Sequence, residues 1–342
     1  MADRVGHLRS RLRYGHDAVM KGASGATKNM NAEQASEIRR YLETGQHDDD
    51  LGGAWPGCTT VECAGNARAA RRAALCGEVR KRAGEAIAPD FAVPEDLPAL
   101  VCARVAPMVR GLFSRREQEV VLQLLQHSVV VVTPANIEPL LVETRWEHTA
   151  WVLANLYLGS IGVPLLSPDA PQLVGISVDT TCYLSLDYLR HTDPLTDYLV
   201  HEAAHVFHNC KRRTLGLPAT GTREWLLTIE FRKRETFAYA CEAYGAIRAQ
   251  AAGPAERTRL LRLLEARSGP GDERVDPDEF FDIVREACGA RNGWARILAR
   301  CAPPKARRTS VVARNVGVAA MGPHGNQCSG EVDETAVGRT DE

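Results

Sequence analysis

The chain has almost no net charge, no apolar run of membrane-span length and no glycine loop of the kind that cradles phosphate. Its 342 residues carry 42 Lys and Arg against 43 Asp and Glu, for a formal charge of −1. That balance gives no electrostatic case for a nucleic acid or an acidic membrane as partner. A membrane-spanning helix needs about 20 consecutive apolar residues, and none is present, so no membrane association is expected. Internal repeats are also missing, which argues against a solenoid. Residues 1–16 are charged and broken by Arg and Asp, unlike a secretory leader. The expectation is a cytoplasmic protein; an unconventional secretion route leaves no mark in such a sequence. The ten cysteines fall at irregular intervals along a long chain and do not form a disulfide framework.

Large apolar residues are scarce at both ends. Residues 1–90 are polar, with Gly22-Ala23-Ser24-Gly25, Asp48-Asp49-Asp50 and Gly52-Gly53. They read as largely disordered, with one short helix near 32–42 and a cysteine cluster. Residues 303–342 read as a disordered tail. Between them, 91–302 read as one folded domain. Helical periodicity marks 97–113, 114–127 and 146–160, and Asp276 to Cys288 forms a late helix. Val129–Thr133, 173–178 and 182–186 read as strands, the last two joined by a turn at Asp179-Thr180-Thr181. Helices around a small sheet make the expected class α+β.

His201-Glu202-Ala203-Ala204-His205 spells H-E-x-x-H inside the apolar stretch Leu199–Phe207. Residues four apart on a helix share a face, about one turn from each other. Two imidazoles so placed can share a zinc ion. Glu202, about 100° further round, can take a proton from water beside it. Asp193 as N-cap and Pro194 at the first helical position are expected to start this helix. Cys210-Lys211-Arg212-Arg213 should form its last turn, where positive charge suits the dipole, before Gly216 and Pro218 break it.

A catalytic zinc takes three protein ligands and leaves one position open. A metzincin would continue with a glycine and a histidine where this chain has His208 and Lys211. His208 itself stands seven residues from His201, a rise of about 10 Å that is too long for both to hold one ion. It is expected to line the cleft or the core. A better donor lies on the next helix-favouring stretch, Thr222 to Ala251. There Glu235 stands 30 residues after His205, which allows a loop and a returning helix. Glu235 and Glu242 share a face among apolar neighbours, where a carboxylate is costly unless paired or metal-bound. Glu235 is the expected ligand. Glu242 is the partner that orients a ligand, or the alternative ligand. Glu230, separated by Phe231 and a basic run, suits the role less. His208, Tyr239 and Tyr244 are within sequence reach as groups that could stabilise developing negative charge.

H-E-A-A-H followed by a glutamate on a downstream helix resembles the zincin superfamily, in its gluzincin branch. Glu235-Thr236-Phe237-Ala238 is similar to the E-x-x-A start of the third-ligand helix in compact bacterial peptidases of the ImmA/IrrE type. The next residue in that pattern is usually Asn or Asp, placed to orient a metal ligand; here it is Tyr239. The resemblance covers about residues 145–250. It implies a zincin-like domain with a small sheet, an active-site helix and a following ligand helix. It also implies a strand rim, at Tyr183 to Tyr188, along which a peptide could lie.

These readings lead to an expected zinc metallopeptidase. His201, His205 and Glu235 hold Zn2+, and Glu202 is the general base acting on a peptide or protein substrate. The alternative is a regulatory or binding protein of the same fold, with activity confined to one partner or absent. Cys58 and Cys63, followed by Cys76, could hold a second, structural zinc with His47 or Cys102, or Cys58 and Cys63 could pair oxidatively. Such a cysteine region could be an interaction module in its own right. Cys182, Cys210 and Cys241, near the motif, are expected to pack as small apolar residues.

Overall fold

Three short strands lie between two layers of helices. The computed structural model describes residues 30–48, 54–84, 93–190, 193–221 and 223–304. Helices α1 (Ala32–Thr44) and α2 (Thr60–Ala83) each begin on a capping box, Asn31 with Gln34 and Thr59 with Glu62. Helices α3 (Leu97–Leu112) and α4 (Arg115–Ser128) lead into β1 (Val129–Val131). Helices α5 (Ile137–Glu143) and α6 (Glu147–Ser160) precede the hairpin β2 (Gly175–Val178) and β3 (Thr181–Leu184). Then follow α7 (Leu186–Arg190), α8 (Tyr198–Asn209), α9 (Arg234–Gln250), α10 (Pro254–Glu265), α11 (Pro277–Gly289) and α12 (Gly293–Cys301). The architecture is α+β, mostly helical, with one three-stranded sheet among the described residues.

Strand β3 is the middle of that sheet. It pairs in parallel with β1, Val130 opposite Tyr183, and antiparallel with β2, Ile176 opposite Tyr183. The hairpin turns at Asp179, whose φ of 53° is a left-handed conformation that Asp tolerates better than most residues. This order corrects the expected rim. Tyr183 sits on the central strand, and the chain passes into α7 from Leu186. The strand with one unpaired side next to α8 is β2 instead, because the hairpin places it outside β3.

The pleat alternates between two cores. Cys182 and Leu184 pack with α3, α4, α8 and α9, where Phe113 meets Phe207 edge-on at 5.0 Å. Ile176 and Tyr183 pack on the other face, against Leu141, Trp151 and Leu153 of α5 and α6.

This second face corrects the expectation of a largely disordered region 1–90. Within it, residues 30–48 and 54–84 are mostly helical and dock on α6. Helix α2 is held there by buried Leu75, Cys76 and Val79 and by two arginines. Arg71 forks onto Glu147 at 2.5 and 2.9 Å and reaches Glu37 at 3.4 Å. Arg72 donates to the carbonyls of Leu141 and Thr144. The Tyr41 hydroxyl donates to the Glu147 carbonyl at 2.9 Å, and Trp151 Nε1 donates to the Leu42 carbonyl at 2.8 Å. Gly45, at φ 71°, lies so close to the Trp151 ring that an added Cβ would stand 2.7 Å from it. The readings for residues 1–29, 49–53, 85–92 and 305–342, which include all but the first two residues of the tail, lie outside the described residues. No described helix is long and apolar enough to cross a membrane.

The cysteine metal site considered as one option is not formed among the described residues. Cys63 and Cys76 both lie on α2, and their thirteen-residue separation corresponds to about 20 Å of helix rise. Cys58 is exposed, while Cys63 packs beside Trp55 and Ala67. Cys76 is buried, and that burial pushes its thiol up to about 11, so it stays protonated. Neither His47 nor Cys102 belongs to a metal-ligand group among the described residues, and every described cysteine is a free thiol. Cys182, Cys210 and Cys241 are buried, as expected of small apolar residues.

Candidate functional site

His201, Glu202 and His205 lie on α8, which begins later than the sequence suggests. Asp197 is its N-cap, accepting a hydrogen bond from the Val200 N–H at 3.3 Å. Asp193, the expected cap, is engaged elsewhere. It takes both arms of the Arg267 guanidinium at 2.6 and 2.9 Å, and it accepts from the Leu195 N–H within a turn. Pro194 therefore sits in that turn, outside the helix.

The far end differs too. Cys210 is extended, and Arg212–Leu215 is a separate 3-10 turn. Arg212 does not serve the helix dipole; its buried side chain is bound by Glu117.

The expected long helix over 222–251 begins at Arg234. Before it, the backbone finishes α8. The Leu227 N–H donates to the Phe207 carbonyl at 2.8 Å, and the Leu226 N–H donates to the Cys210 carbonyl at 2.9 Å. Carbonyls at a helix end have no partner within the helix, and here the approach to α9 supplies it. The short turn Phe231–Lys233 then leads directly to Glu235 in the first turn of α9.

Helices α8 and α9 bring together the three expected donors. His201 Nε2 and His205 Nε2 stand 3.2 Å apart. Glu235 Oε2 is 3.4 Å from the second and 3.8 Å from the first. This is the one group among the described residues with metal-ligand composition and spacing. Four-coordinate zinc at about 2.0–2.1 Å from its ligands sets them about 3.3 Å apart. The 3.2 and 3.4 Å edges lie close to that figure and the 3.8 Å edge is longer, so the donor set has the chemistry of a zinc site and nearly its size. Glu230 lies outside the group.

Hydrogen-bond partners decide which ring nitrogens carry protons. His201 Nδ1 faces Glu242 Oε2 at 3.0 Å. A carboxylate only accepts, so Nδ1 donates. Glu242 is itself fixed by the Asp197 N–H, which donates to Oε1 at 3.1 Å. The role expected of Glu242 as an orienting partner thus fits its position.

His205 Nδ1 faces His208 Nε2 at 3.1 Å, and His208 Nδ1 faces Asn209 Oδ1 at 3.1 Å. Burial, then the charges of His205 and Arg234, push His208 down to about 3, so its ring is neutral. Donation to the Asn209 oxygen then leaves His208 Nε2 to accept from His205. His208 is therefore a prop behind His205, neither a ligand nor a group facing the donor point. Each metal-side imidazole thus has a partner behind its Nδ1, and two imidazole Nε2 atoms and one carboxylate oxygen converge on the other side.

The local charge favours a cation at that point. Burial pulls the His201 pKa down, but the hydrogen bond and charge of Glu242, with Glu202 and Glu235, outweigh it and raise the value. Burial pushes Glu235 up, but His205, then Arg274 and His201, bring it below the usual carboxylate range.

Glu202 is buried under β2. Gly175 is needed there, since an added Cβ would stand 2.9 Å from Glu202 Cγ and 3.1 Å from its Oε1. The Ser177 hydroxyl donates to the Glu202 carbonyl at 2.8 Å. Strand and helix are thus joined at the motif glutamate.

The two tyrosines separate. Tyr239 packs edge-on against His201 with ring centroids 4.4 Å apart. Burial, with the charge of Asp272, pushes its phenol up to about 12. Tyr244 is removed from the candidate group. It is fully buried against Trp294 at 4.8 Å, between α9 and α12. Nine residues after Glu235, it has turned about 180° around the helix.

Four residues at the site escaped the sequence reading: Asp197, Gly175, Asp272 and Arg274. Only Asp197 left a signal, as a capping residue three places before Val200. A cavity of about 430 Å³, lined by Arg104, Tyr188, Asp197 and Gln250 among others, opens at the start of α8 and does not include the donor set. No protein family, curated protein or solved structure matches the chain.

Proposed function

We propose that this protein is a zinc-dependent peptidase with a zincin-like, gluzincin-type arrangement. His201, His205 and Glu235 would hold the ion, and Glu202 would be the general base. The observation that carries the proposal is the convergence of His201 Nε2, His205 Nε2 and Glu235 Oε2 at 3.2–3.8 Å, each backed by a partner on its far side. Zinc, when bound, supplies Lewis acidity, which acidifies water and polarises a carbonyl.

The chain's own groups do the rest. Glu202, fixed by β2, takes a proton from the attacking water and delivers it to the departing amine. An extended substrate can pair with the outer edge of β2, next to Glu202, by main-chain hydrogen bonds. Among the three groups considered for stabilising negative charge, Tyr239 is the one left at the site. Its raised pKa keeps it a neutral phenol able to donate.

Elemental analysis of the purified full-length protein tests the reading. About one zinc per chain is expected, lost in His205→Ala. Glu202→Gln should keep the zinc and lower peptide hydrolysis by about 10²–10⁴-fold. No zinc after supplementation, or full hydrolysis by Glu202→Gln, would refute it. Cleavage of generic peptides would mark a broad peptidase. A zinc-loaded protein that cleaves none of them would point to a single dedicated partner.

A further inference from the structure

We propose that Arg274 is a positioning residue that restricts Glu235 to one ligating oxygen. The inference rests on the zinc reading above and deepens it. The two oxygens of Glu235 have different surroundings. Oε2 faces the imidazoles at 3.4 and 3.8 Å, while Oε1 is held by Arg274 Nη1 at 2.8 Å. A carboxylate beside zinc can swing to offer both oxygens. A charge-assisted hydrogen bond on one of them opposes that swing. Holding Glu235 to a single contact keeps coordination space free for water and a substrate carbonyl.

The guanidinium is itself held in orientation. Asp272 accepts from Arg274 Nε at 2.9 Å and pairs with Nη2 at 2.5 Å. Its Oδ1 also accepts the backbone N–H of Arg274 at 2.9 Å. This fork uses the planar donor geometry of arginine, which lysine lacks. Asp272 also cancels the guanidinium charge, so Arg274 orients Glu235 without repelling a divalent ion.

The loop carrying the pair is fastened on both sides. Arg267 forks onto Asp193, four residues before the α8 cap. Val275 is buried in the core, and Asp276 caps α11 by accepting from the Glu279 N–H at 2.9 Å. Arg274 itself is 67% exposed, so its removal should leave the fold intact.

The test uses the full-length protein and two readouts that need no substrate. One is zinc affinity by competition with a chromophoric chelator; the other is the visible spectrum of the cobalt-substituted protein. Arg274→Ala should bind zinc about 10–100-fold more weakly than wild type. Its cobalt bands should fade from the intense pattern of four-coordination toward the weaker one of five-coordination. Arg274→Lys should recover only part of the affinity, and Asp272→Asn should lose part of it. Thermal midpoints of the metal-free proteins should agree. Equal affinity and equal cobalt spectra for wild type and Arg274→Ala would overturn the proposal while leaving the zinc site standing. A wild-type protein that takes up neither metal would overturn the zinc reading, and this inference with it.

Discussion

On the α6 side of the sheet, Arg71 and Glu147 meet through two hydrogen bonds, Glu37 adds a third contact, and Arg72 donates to two carbonyls. Two buried carboxylates face two buried guanidinium groups, so the charges balance within the cluster. On the α8 side, Glu235 and Asp272 pair with one guanidinium, Arg274, Glu242 pairs with His201 Nδ1, and His201 Nε2, His205 Nε2 and Glu235 Oε2 converge. Burying charge is costly unless it is compensated. The first cluster compensates itself, whereas the second, on the zinc reading proposed above, is completed by a bound cation. On that reading the contrast separates charge that builds a fold from charge that holds a ligand, although both clusters are built from carboxylates.

Three measurements can break or sharpen that contrast. Glu147→Gln should have the largest effect, because it removes the charge opposite buried Arg71 and puts an NH2 where one acceptor oxygen stood, leaving Glu37 at 3.4 Å as the remaining carboxylate contact. A loss of about 3 kcal/mol in urea unfolding is expected, with zinc uptake by the folded protein unchanged. A folded variant that no longer takes up zinc would show that the two faces are coupled.

His208→Ala should have a smaller effect, confined to the site. Without the acceptor behind His205 Nδ1, zinc affinity should fall about tenfold, equivalent to about 1.4 kcal/mol. Unchanged affinity in a chelator competition would mean that His205 is oriented by something else.

The smallest effect concerns a self-compensated pair on the α8 side itself. Burial pushes Glu117 up, but hydrogen bonds from Arg212 and Ser114 outweigh it and hold the carboxyl at about 2 instead of 4.5. Because the folded value is the lower one, the pair stabilises the protein fully above about pH 4.5. That contribution is lost as pH falls toward about 2. Glu117→Gln should flatten the stability–pH curve over this interval. An unaltered acid limb would show that other carboxylates govern it.

The sequence carried the grouping of His201, His205 and Glu235 further than the architecture. H-E-x-x-H was legible because helical pitch turns a spacing of four into a shared face. Glu242 was legible because seven residues bring the chain back to nearly the same angle. The same periodicity should have removed Tyr244, whose nine-residue offset points it the opposite way. The start of α8 was misplaced because two aspartates compete to cap it, and the competition is decided by Arg267, far along the chain. Helix α2 was missed because its buried face mixes Arg71 and Arg72 with Ala67, Leu75, Cys76 and Val79, which blurs the apolar stripe. Its Thr59–Glu62 capping box and its alanine content were the usable signs. Strand order is not written in strand patterns, so β3 was taken for an edge strand although it is the central one. Arg274 left no trace at all, since nothing periodic links it to Glu235.

The absent side chain of Gly175 has a consequence for entropy. A glutamate that gives up its rotamer freedom loses about 1.5–2 kcal/mol. Glu202 is 6% exposed and lies against backbone that an added Cβ would push into it. Its few permitted conformations are therefore selected during folding. Whatever meets Glu202 at the site encounters a group whose disorder has already been removed, and ordering it again adds nothing to the barrier.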